Sequence, residues 1–240
     1  MPSDGYNQFC PLAKACEILE PRWTLLILSE IWSGSARFND IGRGVPGLSP
    51  TLLSRRLKDL EAHGLVQREQ TASGQVLYRA TAASLKLQPV VQALGQWAYD
   101  NIDSDVTLQS LDSRLLMWNM RRKIDTGLFP DRRSVVQFIF PEQAPVMRNY
   151  WLIARPHCQA DLCLVDPGFE VDLFVEADLR TMTSVYMGFQ SLRDSISEGM
   201  IYLSGDKALA GSIDSWLRLS SYAGPRETPR RTPGHAGAGH

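Results

Sequence analysis

The stretch Ser49-Pro50-Thr51-Leu52-Leu53-Ser54-Arg55-Arg56-Leu57-Lys58-Asp59-Leu60-Glu61 constrains this chain more than any other. Ser49 suits a helix N-cap and Pro50 the first helical position. Leu53, Leu57 and Leu60 fall at i, i+4 and i+7, which makes one apolar stripe. Thr51, Ser54, Arg55 and Lys58 take the opposite side, with Arg56 at its edge. That side carries hydroxyls and cations and meets no acid before Asp59. Such a helix can pack on a core with one face and offer donors to phosphates and base edges with the other. Taken alone, the stretch reads more simply as a solvated amphipathic helix. Its surroundings decide between the two.

The net charge of -1 conceals a local excess of positive charge. Residues 36–80 hold seven Lys and Arg against four Asp and Glu, whereas residues 103–222 hold 12 against 16. Phosphate neutralisation needs only a local patch, so the small net charge does not exclude a nucleic-acid partner. No apolar run approaches a membrane span, and the N-terminus lacks a basic start followed by an apolar block. The expectation is a soluble cytoplasmic protein, nucleoid-associated in a bacterial cell, with no membrane partner. Four cysteines in 240 residues do not make a disulfide framework.

Before the central stretch, Leu12, Ala15, Cys16 and Leu19 space a helix over 11–20 that Pro21 interrupts. Trp23, Leu26, Ile27 and Ile31 space a second, ended by Ser33-Gly34-Ser35. Phe38-Asn39-Asp40-Ile41 opens a short helix that stops near Gly44-Val45-Pro46-Gly47. A short helix, a Gly/Pro turn and a longer basic helix make a helix-turn-helix pattern. After it, His63-Gly64 closes the helix. Leu65-Val66-Gln67-Arg68 and Val76-Leu77-Tyr78-Arg79 read as two strands around a Thr71–Gly74 tip, a β-hairpin wing with Arg68 and Arg79 near its base. Residues 81–101 are expected to form one long helix with Leu87, Val90, Val91, Leu94, Trp97 and Ala98 on one side. That is more apolar surface than a small domain buries alone, so a homodimer contact is expected there.

These blocks resemble the HxlR-type winged-helix regulators, relatives of the MarR-like regulators. The blocks that carry the resemblance are Cys10-Pro11, Arg22 to Leu28, Arg37-Phe38-Asn39-Asp40-Ile41, Pro46-Gly47-Leu48-Ser49, Leu53 to Glu61 and Gly64-Leu65-Val66, over about residues 8–100. At Ala82-Ala83-Ser84 the chain departs from the family's leucine-threonine-glu-x-gly helix start. The resemblance implies a homodimer whose recognition helices and wings meet a palindromic operator in double-stranded DNA. The DNA-facing set it suggests is Arg37, Ser49, Pro50, Thr51, Ser54, Arg55, Arg56, Lys58 and Gln75. Thr51, Ser54 and Arg55 are expected at bases, Lys58 and Gln75 at backbone. Some members sense oxidants through the N-terminal cysteine that Cys10 matches. The plainer reading of Cys10 is a small, partly buried apolar residue.

A polar break at 100–105 marks the expected boundary of a second domain. A helix over 108–124 with Leu111, Leu115, Trp118 and Arg122 on one face comes first. Its basic end, Arg121-Arg122-Lys123, suits the helix dipole. Strand-like runs at 135–140, 150–154, 161–165 and 171–175 suggest an antiparallel meander. Helices at 178–187, 191–198 and 207–217 follow, with a short strand in 199–205. The class is therefore multidomain: a mainly α winged helix-turn-helix over 1–102, an α+β domain over 103–222 and a tail over 223–240. The α+β part looks like the sterol carrier protein type 2 domain, on Val171 to Met182, Tyr186-Met187-Gly188 and Ile196 to Leu209. That resemblance implies an apolar tunnel for a lipid-like effector, which Trp118, Phe138, Trp151, Met182, Tyr186, Met187 and Trp216 would line; each also serves as plain core.

His157, Cys158 and Cys163 match no zinc spacing, and neither a nucleophile elbow nor a phosphate loop is present. No cofactor, metal or enzymatic activity is expected. The function expected is ligand-responsive transcription regulation. The alternative is a lipid-sequestering protein whose winged helix serves mainly in dimerisation.

Overall fold

The computed structural model describes residues 5–224. Most of the expected tail, Pro225 to His240 with His235 and His240, lies outside the described residues. The chain forms two units that meet in sequence between Gln96 and Trp97.

In the first unit, four helices precede the hairpin: α1 Pro11–Leu19, α2 Thr24–Trp32, α3 Phe38–Gly44 and α4 Pro50–Ala62. Strands β1 Val66–Gln70 and β2 Val76–Ala80 pair antiparallel, with Val66 opposite Ala80 and Gln70 opposite Val76. The core gathers Ile27, Leu28 and Ile31 from α2, Ile41 from α3, and Leu53, Leu57 and Leu60 from α4, closed by Leu65 and Val66. Burying each of those leucines is worth roughly 1.5–3 kcal/mol, enough to fix which way α4 faces. Leu26 turns outward, so the buried stripe of α2 is narrower than its sequence suggests.

Trp23 does not open α2 as a helical residue. It is the N-cap, at φ 82°, in the left-handed region that an aromatic residue seldom enters. Its half-buried ring packs on the core, and Thr24 donates to the Pro21 carbonyl from both its N–H and its Oγ1.

The expected single helix over 81–101 is two: α5 Ala82–Leu85 and α6 Gln88–Asn101. Pro89 is the reason. It has no N–H to give the Leu85 carbonyl, and its ring would press on that same group. Thr81 caps α5 by accepting the Ser84 N–H at 3.2 Å. The buried Ser84 hydroxyl then accepts Trp32 Nε1–H at 2.9 Å, pinning α5 to α2.

The second unit begins in α6 and continues through α7 Ser104–Thr107, α8 Ser113–Lys123 and a 3-10 turn, Thr126–Leu128. Strands β3 Ser134–Ile139, β4 Asn149–Ala154, β5 Asp161–Cys163, β6 Leu173–Ala177 and β7 Ile201–Gly205 form one sheet in the order β5-β4-β3-β6-β7. Helix α9 Pro145–Arg148 lies in the β3–β4 connection. Helices α10 Leu179–Tyr186 and α11 Leu192–Ser197 separate β6 from β7, and α12 Lys207–Gly211 and α13 Ile213–Trp216 follow it.

The sheet is mixed, which corrects the expected meander. Strands β3, β4 and β5 run antiparallel in turn, but β6 returns to the free side of β3 and pairs with it in parallel. A two-sided partner explains the burial of β3, where Val135, Val136 and Phe138 are all enclosed. Strand β6 alternates as expected, with Leu173, Val175 and Ala177 inside and Phe174 and Glu176 outside. On α8 Trp118 is buried as expected, together with Leu116, Met117 and Met120, whereas Leu115 and Arg122 are only half-buried. Ser212 breaks the expected last helix into α12 and α13.

Candidate nucleic-acid interface

Helix α4 is built to present one face. Ser49 accepts the Leu52 N–H at 3.3 Å, which supplies the cap, and Pro50 takes the first turn. With Leu53, Leu57 and Leu60 held in the core, the helical period turns Thr51, Arg55 and Lys58 outward, again at i, i+4 and i+7. Ser49 and Pro50 are exposed beside them, and Ser54 is half-buried at the border.

Arg56 is placed differently. It is half-buried, donating Nε–H to the Arg22 carbonyl at 3.2 Å and Nη1–H to Asp59 Oδ2 at 3.0 Å. The guanidinium of Arg22 in turn lies 5.1 Å from the centre of the Trp23 ring. Arg56 therefore ties α4 to the turn before α2.

The other candidates sit on neighbouring elements. Arg37 is exposed at the N-cap of α3. Gln75 is exposed in the wing tip, where its carbonyl accepts the Thr71 N–H, its own N–H donates to Thr71 Oγ1, and Gly74 takes φ 81°. The wing is fixed at its inner edge, since Tyr78 donates its N–H to the Ala36 carbonyl at 2.7 Å. Arg79 is exposed but paired with Glu69 at 2.7 Å, so its charge is half-answered within the wing; Arg68 is exposed nearby. Cys10 is half-buried at the start of α1, where its carbonyl accepts the Lys14 N–H.

The apolar candidates of the second unit are side chains of its core. Phe138, Met182 and Trp216 are buried in one cluster, and Tyr186 packs against it. Burial raises the Tyr186 hydroxyl to about 12. Trp216 Nε1–H is satisfied by the Leu209 carbonyl at 2.9 Å. Trp118 and Trp151 are buried too, and Met187 is half-buried. None of the seven lines the polar cleft that the same unit carries at the end of α8. Sequence reasoning missed that cleft, because its walls come from three distant stretches of chain. Among the described residues no group of three His, Cys, Asp or Glu is placed to hold a metal ion, and no helix is long and apolar enough to cross a membrane.

Residues 18–106 match the family model described as HxlR-like helix-turn-helix. The uncharacterized HTH-type transcriptional regulator YvaP of Bacillus subtilis (strain 168) is 37% identical over 100 residues, spanning 40% of this chain and 93% of that protein. The HTH-type transcriptional regulator YodB of the same organism is 34% identical over 95 residues, 38% of this chain and 85% of its own length. The reduced form of YodB is a solved structure at 31% identity and TM-score 0.36, covering 40% of this chain and 97% of that one. The family model stops at residue 106 and leaves the rest of the sheet-bearing unit unmatched.

Proposed function

The chain belongs to the HxlR-like helix-turn-helix family, and on that premise we propose that it is a homodimeric transcriptional regulator whose α4 enters the major groove of duplex DNA. The observation that carries this reading is the outward set Thr51, Arg55 and Lys58 on a helix whose opposite face is locked in the core. Thr51, Ser54 and Arg55, nearer the N-terminus, read base edges. Lys58, Arg37 and the wing-tip Gln75 meet phosphates, with Ser49 and Pro50 at the groove's lip. Arg56 holds the helix in register. A two-fold dimer of such helices calls for a palindromic operator with half-sites about one helical turn apart.

The second unit, over roughly 103–222, is the sensing part in this proposal, and its resemblance to the sterol carrier protein type 2 domain suggests a lipid-like, apolar effector. Supporting this is the convergence of Phe138, Met182, Tyr186 and Trp216 in one apolar layer. These side chains fill that layer, so an effector would have to part them. Such a ligand regulates only if it binds the DNA-competent and incompetent states unequally. Cys10 is read as a packing residue. Oxidant sensing there would show as sulfenylation together with altered DNA affinity.

Selection of duplexes from a random pool by the full-length protein tests the central claim. An enriched inverted repeat supports it, and enrichment that survives Arg55→Ala unchanged overturns the assignment of α4. A chain that selects no sequence but retains fatty acid would favour lipid sequestration instead.

A further inference from the structure

The wing needs anchorage. Strands β1 and β2 pair only with each other, and a two-stranded hairpin is marginal in water without further support. Its tip carries Gln75, six residues before Thr81 at the wing's exit. At about 3.3 Å per residue that is a lever of ~20 Å. A rotation of about 10° at the base would move such a tip by ~3.5 Å, enough to break a hydrogen bond to a phosphate.

The base is held by the buried Val66, by Tyr78 and Ala80 packed on the core, and by a short set of hydrogen bonds. Tyr78 donates its N–H to the Ala36 carbonyl at 2.7 Å. Thr81 donates its N–H to the Leu65 carbonyl at 3.3 Å, just beyond the last ladder pair, Val66 with Ala80. The Thr81 hydroxyl donates to the Gly64 carbonyl at 2.7 Å, with the Leu65 carbonyl farther off at 3.4 Å.

The bond to Gly64 refers the wing to α4. Gly64 closes that helix in a Schellman turn at φ 67°: its N–H donates to the Glu61 carbonyl at 3.0 Å, and the Leu65 N–H donates to the Leu60 carbonyl at 2.9 Å. Leu60 is locked in the core, so the last turn of α4 dictates where the Gly64 carbonyl points. The bland reading of Thr81 is a helix cap, since its oxygen accepts the Ser84 N–H at 3.2 Å. A cap needs only that acceptor. The proton that Thr81 gives to Gly64 does nothing for α5; it joins the wing's exit to the end of α4.

We infer that Thr81 is a positioning residue: through Gly64 it fixes the angle of the wing to α4, and so sets where Gln75 meets the DNA backbone. The inference rests on the proposed reading in which α4 and the wing face one duplex.

Residual dipolar couplings of the full-length, DNA-free protein test the anchor apart from that reading. In the natural sequence the amides of β1 and β2 should share one alignment with those of α4. Thr81→Ser should keep it, because the hydroxyl remains. Thr81→Val should lose it. So should Thr81→Asp, which retains an acceptor for the cap of α5 but has no proton for Gly64. On a duplex selected from a random pool, Thr81→Val should lower affinity about fivefold, for specific and random sequences alike, and Thr81→Ser should restore it. Gln75→Glu should weaken the natural sequence by about tenfold and Thr81→Val by much less, because the displaced tip no longer stands at the phosphates. Couplings unchanged in Thr81→Val and Thr81→Asp overturn the inference. So does Thr81→Ser behaving as Thr81→Val, or a Gln75→Glu loss as large in Thr81→Val as in the natural sequence. Gln75→Glu without effect in the natural sequence would overturn the DNA-facing tip on which the inference rests, while the couplings report separately on the anchor.

Discussion

Arg56 donates its Nε–H to the carbonyl of Arg22 at 3.2 Å, so a cation of α4 is engaged within the first unit. Its neighbour Arg55 is exposed. Two adjacent arginines therefore do different work. Arg55→Ala should cost roughly 1–3 kcal/mol of specific DNA affinity and relax base preference. Arg56→Ala should cost about 1 kcal/mol of stability, through lost bonds to the Arg22 carbonyl and to Asp59, and should weaken all sequences alike. Thermal melts beside anisotropy on specific and random duplexes separate the two. A change of base preference in Arg56→Ala would sink this division.

A buried acid sits against the turn of the helix-turn-helix. Ser35 Oγ donates to Glu30 Oε1 at 2.6 Å, and a Cβ built on Gly44 would fall 1.9 Å from Glu30 Cδ. Gly44→Ala cannot keep both groups in place, and we expect a loss of roughly 2–4 kcal/mol. Pairing it with Glu30→Ala should recover part of that loss, because the colliding carboxyl is gone. A double-mutant cycle by urea denaturation measures the coupling. Strict additivity would show that the contact is not the cause.

Helix α6 buries none of its residues completely, and Val90, Leu94 and Trp97 are 63%, 53% and 59% exposed at i, i+4 and i+7. Phe9, Leu12 and Leu26 are exposed in the first unit as well. An apolar stripe of this kind calls for a partner surface, and the proposed one is a second copy of the chain. Val90→Glu with Leu94→Glu should give a monomer by sedimentation, still folded by circular dichroism. Its affinity for a two-half-site duplex should fall to that for a single half-site.

How much of this was legible varies with the range of the interactions involved. Local periodicity placed α4, its cap and its buried leucines, because a helix face is set by residues three and four apart. The hairpin wing followed from two short strands around a turn. The break before α6 was also written locally, in Pro89, but apolar spacing on both sides masked it. The parallel pairing of β3 with β6 joins residues nearly forty apart, Val136 to Leu173, and no local pattern encodes it. The role of Arg56 depends on a backbone carbonyl 34 residues away. The polar cleft at the end of α8 needs 121–127, 157–160 and 218 brought together, and no local pattern joins them.

The corner where β6 meets β7 leaves no room for a side chain. Gly205 takes φ 128°, and a Cβ there would stand 2.2 Å from the Asp172 carbonyl oxygen. That carbonyl already accepts the Asp206 N–H at 2.8 Å. Gly205→Ala should destabilise the second unit by roughly 2–4 kcal/mol, since neither backbone can retreat without breaking the pairing. Hydrogen exchange should show lost protection in β6 and β7, with the first unit's amides unchanged. Equal loss of protection across both units would contradict a local cause.

Acid should loosen the second unit through its capping aspartates. Asp206 accepts the N–H groups of Ala208 at 2.8 Å and Leu209 at 3.0 Å, and those bonds, with Arg132 nearby, hold its carboxyl below the ordinary value of 3.8. Asp214, paired with Arg193, and Asp125, paired with Arg218, are lowered in the same direction. The unfolded chain therefore takes up protons first as pH falls, and stability must rise with pH across that interval. The contribution is complete above the unfolded value and disappears as pH drops through the lowered native one. Melting temperature should fall between about pH 5 and pH 3. Asp206→Asn should lower it at neutral pH and make the acid drop shallower. An acid drop as steep in Asp206→Asn as in the natural sequence would show that this cap does not contribute.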